Sequence, residues 1–363
     1  MHLIHYGLDS AIDFTNNHLG INMQRRLVEC VPNFSEGNDT EIIDSITSAM
    51  LTVPGVKLLD VDMGSDFNRT VVTIVGAPDE VLESVLKGTQ VALERIDMSN
   101  HTGEHARMGA VDVVPFIPVQ GVTMEECVEL SEKYAMMTSE KFNLSVYLYA
   151  KAARDQNRIR LPDIRRGEYE GFEEKILDPL WIPDFGPKQF NPKYGVTATG
   201  ARPILIAYNV NLDTDDKSVT NKIAGKIRTS GVLMKDENGD KVIDDDGNPL
   251  RIKGRFESLQ GAGWMYDDTT AQVSMNLLNY QETGLHHVTD AIRELATETG
   301  HITTAGELVG LVPLQAIIDA GTHYHGGDGS EEVLIHAAIE GLQLNALGDF
   351  IVEKRIIEFA AGV

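Results

Sequence analysis

The stretch His101-Thr-Gly-Glu104-His105-Ala-Arg107-Met-Gly109 puts two imidazoles, a carboxylate and a guanidinium into one short polar segment closed by glycine. Histidine is the side chain best suited to moving protons near neutral pH. Glu104 and Arg107 would tune its pKa in opposite directions. Three readings fit these residues. One is a polar surface turn. A second is a metal site, because His101-x-x-Glu104-His105 has the spacing of the inverted zincin pattern. That pattern needs a continuous helix to bring both imidazoles to one face, and Gly103 and Gly109 interrupt it; a third ligand is needed as well. The third is metal-free general acid–base work by His101 or His105.

Other segments suit a bound substrate. Asp62-Met-Gly-Ser-Asp66-Phe-Asn68-Arg69 and Pro32-Asn33-Phe-Ser35-Glu36-Gly37 offer amides, hydroxyls, acids and one Arg for a carboxylated ligand; the alternative is ordinary loop solvation. Gly186-Pro187-Lys188-Gln189-Phe190-Asn191-Pro192-Lys193-Tyr194-Gly195 sets two lysines and two aromatics on a Pro-stiffened loop. That mix suits a flat anionic ligand, or else an interdomain connector.

These segments need elements to hold them. Residues 27–31 read as a short buried strand. Asn38 with Glu41 three residues on reads as the cap of a helix carrying Ile42, Ile43, Ile46, Ala49 and Met50 at helical spacing. Strands follow at 56–62 and 70–76, the second strongly β-branched. Pro78 with Asp79 and Glu80 opens a second helix, and 111–119 is a strand. The order is β-α-β-β-α-β, the ferredoxin-like arrangement, in which loops separated in sequence can meet over the sheet. Thr123 with Glu126 caps a third helix, and 145–149 is a strand. Residues 151–200, with five arginines and recurrent proline, read as a long linker over the surface. A second β-α-β-β-α-β run follows, with strands at 203–211, 258–266, 270–279 and 307–312 and helices at 216–230 and 284–299. Residues 235–249 form an acidic hairpin-like insertion; Lys241 stands where a calcium-binding loop needs Gly.

Composition narrows the function. The chain has 363 residues, with 31 Lys plus Arg against 55 Asp plus Glu, a net charge of −24. That excludes nucleic acid and anionic membrane surfaces as main partners. No run of about 18 apolar residues is present, so no transmembrane helix is expected. Cys30 and Cys127 form no disulfide framework and read as small core residues, consistent with a cytoplasmic protein. The segment before residue 26 carries no clear pattern and no signal-peptide character.

Long strings make the chain resemble the glutamate formiminotransferase family, folate-dependent enzymes of histidine degradation. They include LVECVPNFSEG from Leu27, NRTVVTIVG from Asn68, IDMSNHTGEHARMGAVDVVPFIPVQGVTMEEC from Ile96, WIPDFGPKQFNPKYGVTATGARPILIAYNVNL from Trp181, SMNLLNYQETGLHHV from Ser274 and ELVGLVPLQAIIDA from Glu307. The resemblance implies an α/β (α+β) protein of two ferredoxin-like subdomains with mixed sheets. Residues 1–25 would be an extension, 26–200 the N-terminal subdomain with its linker, and 201–363 the C-terminal subdomain. The folate site would lie in the cleft between them. It further implies transfer of a formimino group from N-formimino-L-glutamate to tetrahydrofolate, a co-substrate, without a metal. Formyl transfer from N-formylglutamate, or non-catalytic folate binding, are the alternatives. His105 matches the family's catalytic His. Gly186 to Gly195 match its folate loop, and Asp62 matches a family acid near that His. Asn33, Asn68, Arg69, Glu104 and Arg107 are substrate-binding candidates. A homodimer is implied, and a separate cyclodeaminase is expected to process the product. One departure stands out: position 106 is Ala where the family pattern has Pro, which frees the backbone around His105.

Overall fold

The computed structural model describes residues 26–65, 67–103, 106–244 and 247–362. Glu104, His105, Asp66 and the 1–25 extension lie outside the described residues. Strand β1 (Leu27–Cys30) is buried at every position, as befits an apolar run paired on both sides. It is followed by its two-residue continuation β2 (Asn33–Phe34), helix α1 (Thr40–Met50), β3 (Lys57–Gly64), β4 (Arg69–Gly76), α2 (Pro78–Arg95) and β5 (Val111–Gln120). β1 lies between β4 and β5, antiparallel to both, and β3 is outermost against β4. The spatial order β5-β1-β4-β3 is the ferredoxin-like order expected from the element sequence. The cap of α1 differs from expectation. Asp39, not Asn38, accepts the first helical N–H groups, from Glu41 and Ile42, while Glu36 Oε1 takes the N–H groups of Asn38 and Asp39. A carboxylate two residues upstream holds Asn38 in the turn, so the capping position moves on by one.

Thr123 and Glu126 form the expected capping box at the start of α3 (Met124–Phe142), which leads to β6 (Ser145–Ala150). The reading of 151–200 as a surface linker is corrected here. After α4 (Leu161–Arg165) and α5 (Glu168–Lys175), β7 (Val196–Ala201) inserts between β5 and β6, parallel to both. The reason is apolar burial. Ile164, Phe172 and Ile176 from the two short helices pack with Met108, Val113, Tyr147, Val196 and Ala198 over the sheet, and a buried Arg158–Asp184 pair at 3.0 Å pins the segment. The result is a seven-stranded mixed sheet. α1, α2 and α3 cover its other face around Val28, Cys30, Phe116 and Cys127.

The second half contains β8 (Ile206–Leu212), α6 (Lys217–Ile227), the small pair β9 (Val232–Leu233) and β10 (Arg251–Ile252), β11 (Leu259–Met265), β12 (Ala271–Leu277), α7 (Leu285–Glu298) and β13 (Thr303–Val309). Helices α8 (Leu314–His325), α9 (Glu331–Gly341), α10 (Val352–Arg355) and α11 (Ile357–Ala360) complete it. Its sheet order, β11-β12-β8-β13, is antiparallel throughout. It repeats the ferredoxin-like order of the first half. The last strand starts four residues earlier than the apolar pattern suggested and stops before Val312, whose backbone bonds instead to Arg355 and Ile357. In the acidic insertion, Lys235 pairs with Lys241 and Ile243 with Pro249; Asp236 accepts from Asn238 and Asp240 within its own turn. The two halves share a core: Leu27, Val75 and Ile117 of the first sheet belong to one buried cluster with Ile206, Val312, Ile356 and Ile357. No helix among the described residues is long and apolar enough to cross a membrane.

Candidate active site

Three loops singled out in the sequence meet at one end of the first sheet, and Asn68 joins them. Its Oδ1 accepts the Gly37 N–H at 2.9 Å, its Nδ2 donates to Thr102 O at 2.8 Å, and its own carbonyl lies 2.9 Å from His101 Nε2. It does so in the left-handed conformation, φ +47°, which Asn tolerates better than most residues. The approach is close enough that a Cβ on Gly103 would stand 2.5 Å from Phe67 O; only glycine fits. Ser35 extends the junction: its Oγ donates to Gly109 O at 2.8 Å, and its N–H to Ala110 O at 3.0 Å. Asn33 is buried and donates to Val31 O.

Arg107 is fully satisfied within the protein. Its Nε donates to His101 Nδ1 at 3.2 Å. Nη1 reaches Glu168 Oε2 at 3.2 Å and Glu170 Oε2 at 3.1 Å; Nη2 reaches Glu170 Oε1 at 2.6 Å and His101 O at 3.3 Å. A guanidinium has five N–H donors, and all five are used. With Nδ1 accepting from Arg107, the His101 proton sits on Nε2 and is donated to the Asn68 carbonyl. Burial, and then the Arg107 charge, push the His101 pKa below its ordinary value, so this imidazole is neutral at pH 7 and both its nitrogens are engaged.

The 186–195 loop lies against the same segment. Met98 N–H donates to Lys193 O at 3.0 Å, Ala110 N–H to Tyr194 O at 2.8 Å, and Val196 N–H to Met108 O at 2.9 Å. Gly195 has φ +66°, and a Cβ there would meet Met108 O at 2.1 Å, so the crossing requires glycine. Ser145 Oγ holds Pro187 O, and Asn191 caps its own turn through the Lys193 N–H. The Phe190 ring packs 5.2 Å from Tyr169. Lys188, Gln189 and Lys193 are exposed, while Gly186 and Asn191 belong to the backbone turns at the two ends.

Cations line the sheet face beneath α4 and α5. Arg165 pairs with Asp112, which is buried and also accepts the Met108 N–H at 3.0 Å. Burial, then Arg165, push the Arg69 pKa down, while Asp112 and Asp62 push it up. Asp62 is thus within electrostatic reach of Arg69, from the exposed side of edge strand β3. Further along, burial pushes the Tyr149 hydroxyl pKa up, and the nearby Arg202 and Arg165 charges oppose the rise. In a chain of net charge −24, Arg69, Arg165 and Arg202 are half-buried cations, and partial burial strengthens their pull on an anion.

Two family models match this chain in tandem. The formiminotransferase domain N-terminal subdomain matches residues 27–202, and the formiminotransferase domain matches residues 207–361. The chain belongs to the formiminotransferase family. Relatives agree. A glutamate formimidoyltransferase of Thermoplasma acidophilum is 40% identical over 308 residues, covering 84% of this chain and 94% of its own. That of Streptococcus pyogenes is 37% identical over 300 residues, covering 82% and 93%. A formimidoyltransferase-cyclodeaminase of Dictyostelium discoideum is 44% identical over 339 residues, 92% of this chain. The chain spans 60% of the length of that bifunctional relative.

For a formiminotransferase, the sequence reading missed Glu168, Tyr169 and Glu170, which engage Arg107 and the 186–195 loop, and Asp112 and Arg165, which flank Arg69. The arginine cluster at 154–166 was a visible signal, read there as a linker property. Nothing local marks Glu170, since its partner is 63 residues away.

Proposed function

We propose that this formiminotransferase moves the formimino group from N-formimino-L-glutamate to tetrahydrofolate, releasing L-glutamate. The observation that carries the reading is the tandem match to both family models. Relatives named glutamate formimidoyltransferase, aligned over nearly their whole length, support it. The reacting carbon is an amidine carbon. A folate amine attacks it and loses a proton; the bond to the glutamate nitrogen breaks, and that nitrogen gains a proton. One imidazole serves both transfers in turn. We assign that role to His105. The engagement of both His101 nitrogens supports this choice, because neither is open to a substrate. Glu104 and Asp62 would favour the cationic amidine.

Arg69, Arg165 and Arg202 would bind the glutamate carboxylates, rather than Arg107, whose five donors are used within the protein. The core that Leu27, Val75 and Ile117 share with the second half supports a folate cleft between subdomains divided near residue 201. Phe190 and Tyr194 would contact the ring system, with Lys188 and Lys193 at its carboxylates. A homodimer in the cytoplasm completes the proposal.

The test is glutamate release from N-formimino-L-glutamate by the full chain, with and without tetrahydrofolate, in the presence of a chelator. Release that requires tetrahydrofolate and survives the chelator is expected. Release without tetrahydrofolate would make the protein a hydrolase. Absence of release, with tetrahydrofolate bound, would leave formyl transfer from N-formylglutamate or non-catalytic folate binding, with Ala106→Pro the first change to try.

A further inference from the structure

The geometry points to helix α5 as a positioning element, whose Tyr169 and Glu170 fix residues 98–103 and 107–110 against the 186–195 loop. It rests on the transfer reading, in which these two segments hold the proton-transfer group and the folate. Three consecutive residues at the start of α5 make the connection. Glu170 forms a two-pronged ion pair with Arg107, at 2.6 and 3.1 Å. Glu168 adds a third carboxylate oxygen at 3.2 Å from a left-handed backbone, φ +53°. Tyr169, between them, bridges Arg107 and the 186–195 loop. Its ring lies 5.9 Å from the Arg107 guanidinium and 5.2 Å from the Phe190 ring, and its hydroxyl donates to Pro192 O at 2.6 Å.

The burial pattern separates positioning from substrate binding. The Arg107 side chain is 9% exposed, whereas the carboxylates on it are 47% and 62% exposed. The acids form a cap over a buried cation that already holds His101 through Nε and the His101 carbonyl through Nη2. Arg107 therefore passes the position of α5 directly to the polar segment, and Tyr169 passes it to the folate loop. A single helix turn sets the separation of the two segments. A misplacement of about 1 Å in such a constellation costs on the order of a hundredfold in rate.

Glu170→Gln and Tyr169→Phe test this in the full chain, since both side chains are exposed at their tips and neither change opens a core. Steady-state rates are read for both substrates. Amide exchange is read at residues 98–103 and 107–110, together with tetrahydrofolate affinity. Glu170→Gln should lower kcat by about tenfold or more, leave the KM for N-formimino-L-glutamate within about twofold, and speed exchange in both stretches. Tyr169→Phe should weaken tetrahydrofolate binding several-fold and leave the KM for the donor alone. A fall in the donor KM with Glu170→Gln would make Glu170 a stand-in for a substrate carboxylate and overturn the positioning role. Unchanged exchange in both variants would overturn it too. Exchange and folate affinity do not depend on turnover, so a wild-type chain without tetrahydrofolate-dependent release would defeat the transfer reading while leaving this one decided on its own.

Discussion

Replacing Asn68 separates two contributions that meet in one residue. Its side chain makes two hydrogen bonds to backbone, one to the Gly37 N–H and one to Thr102 O, and its backbone holds φ +47°. Each bond is worth about 0.5–1.5 kcal/mol net. Asn68→Gly loses both and keeps the conformation without steric cost, so the loss should be about 2 kcal/mol. Asn68→Ala loses the same bonds and also the local polar support that lets Asn occupy the left-handed region, about 1 kcal/mol, for a total near 3 kcal/mol. Asn68→Asp keeps the acceptor for Gly37 but turns a carboxylate oxygen toward the Thr102 carbonyl, so it should resemble Ala rather than Gly. Urea denaturation of the full chain measures all three. The same variants should lose at least about tenfold in kcat/KM, because residues 33–37, 68–69 and 101–103 are no longer held together. If Gly and Ala were equally destabilising, or both within about 0.5 kcal/mol of the wild type, the joining role of Asn68 would be wrong.

Three more predictions concern proton chemistry. His105→Ala should cut turnover by about 10²–10⁴ in a protein that still melts cooperatively; near-normal turnover would remove His105 from the mechanism. Burial pushes Glu29 up to about 7, with Arg202 opposing and Glu358 adding to the rise. The folded state therefore holds this proton more tightly than the unfolded chain, and stability is lost as pH rises from about 4.5 to 7. A shift of this size corresponds to about 3 kcal/mol, so Glu29→Gln should gain stability relative to wild type at pH 8 and not at pH 4; a gain independent of pH would refute it. His286 is pushed down to about 4 by burial, then by His287 and His323, whose rings stand 4.0 and 4.8 Å away. Its unfolded form takes the proton first, so stability is lost as pH falls from 6.5 to 4. With the ring half exposed, the loss should be about 1 kcal/mol. His286→Gln should flatten that part of the curve, and an unchanged slope between pH 7 and 4.5 would count against the imidazole stack.

Most of the elements were legible because their signals are short-range. The capping pair Thr123 and Glu126, the Pro78-Asp79-Glu80 helix start and the β-branched run before Gly76 each act within one turn or one strand, and each stands where the spacing predicts. β7 was not legible. Val-Thr-Ala-Thr-Gly-Ala is short and carries little apolar alternation, and it is a strand because a gap between β5 and β6 receives it. The cap of α1 slipped by one residue for a similar reason: Glu36 takes the N–H groups of Asn38 and Asp39 and holds them in the preceding turn.

The same division runs through the site. By itself the sequence determined which side chains are available for the chemistry: a His pair with an acid and an Arg, three polar loops, and a Pro-stiffened loop with aromatics and lysines. It also determined the two β-α-β-β-α-β runs that bring distant loops together. Only the tertiary structure decided which of those groups are already spent. Arg107 looks like a carboxylate clamp until Glu168 and Glu170, more than sixty residues on, are seen to occupy its donors. His101 looks equivalent to His105 until Asn68 and Arg107 take both its nitrogens. Asn68 looks like a substrate ligand until both ends of its amide are found on backbone. Residue type and local spacing set what a group can do, whereas hydrogen-bond saturation depends on partners that the chain path alone brings within 3 Å.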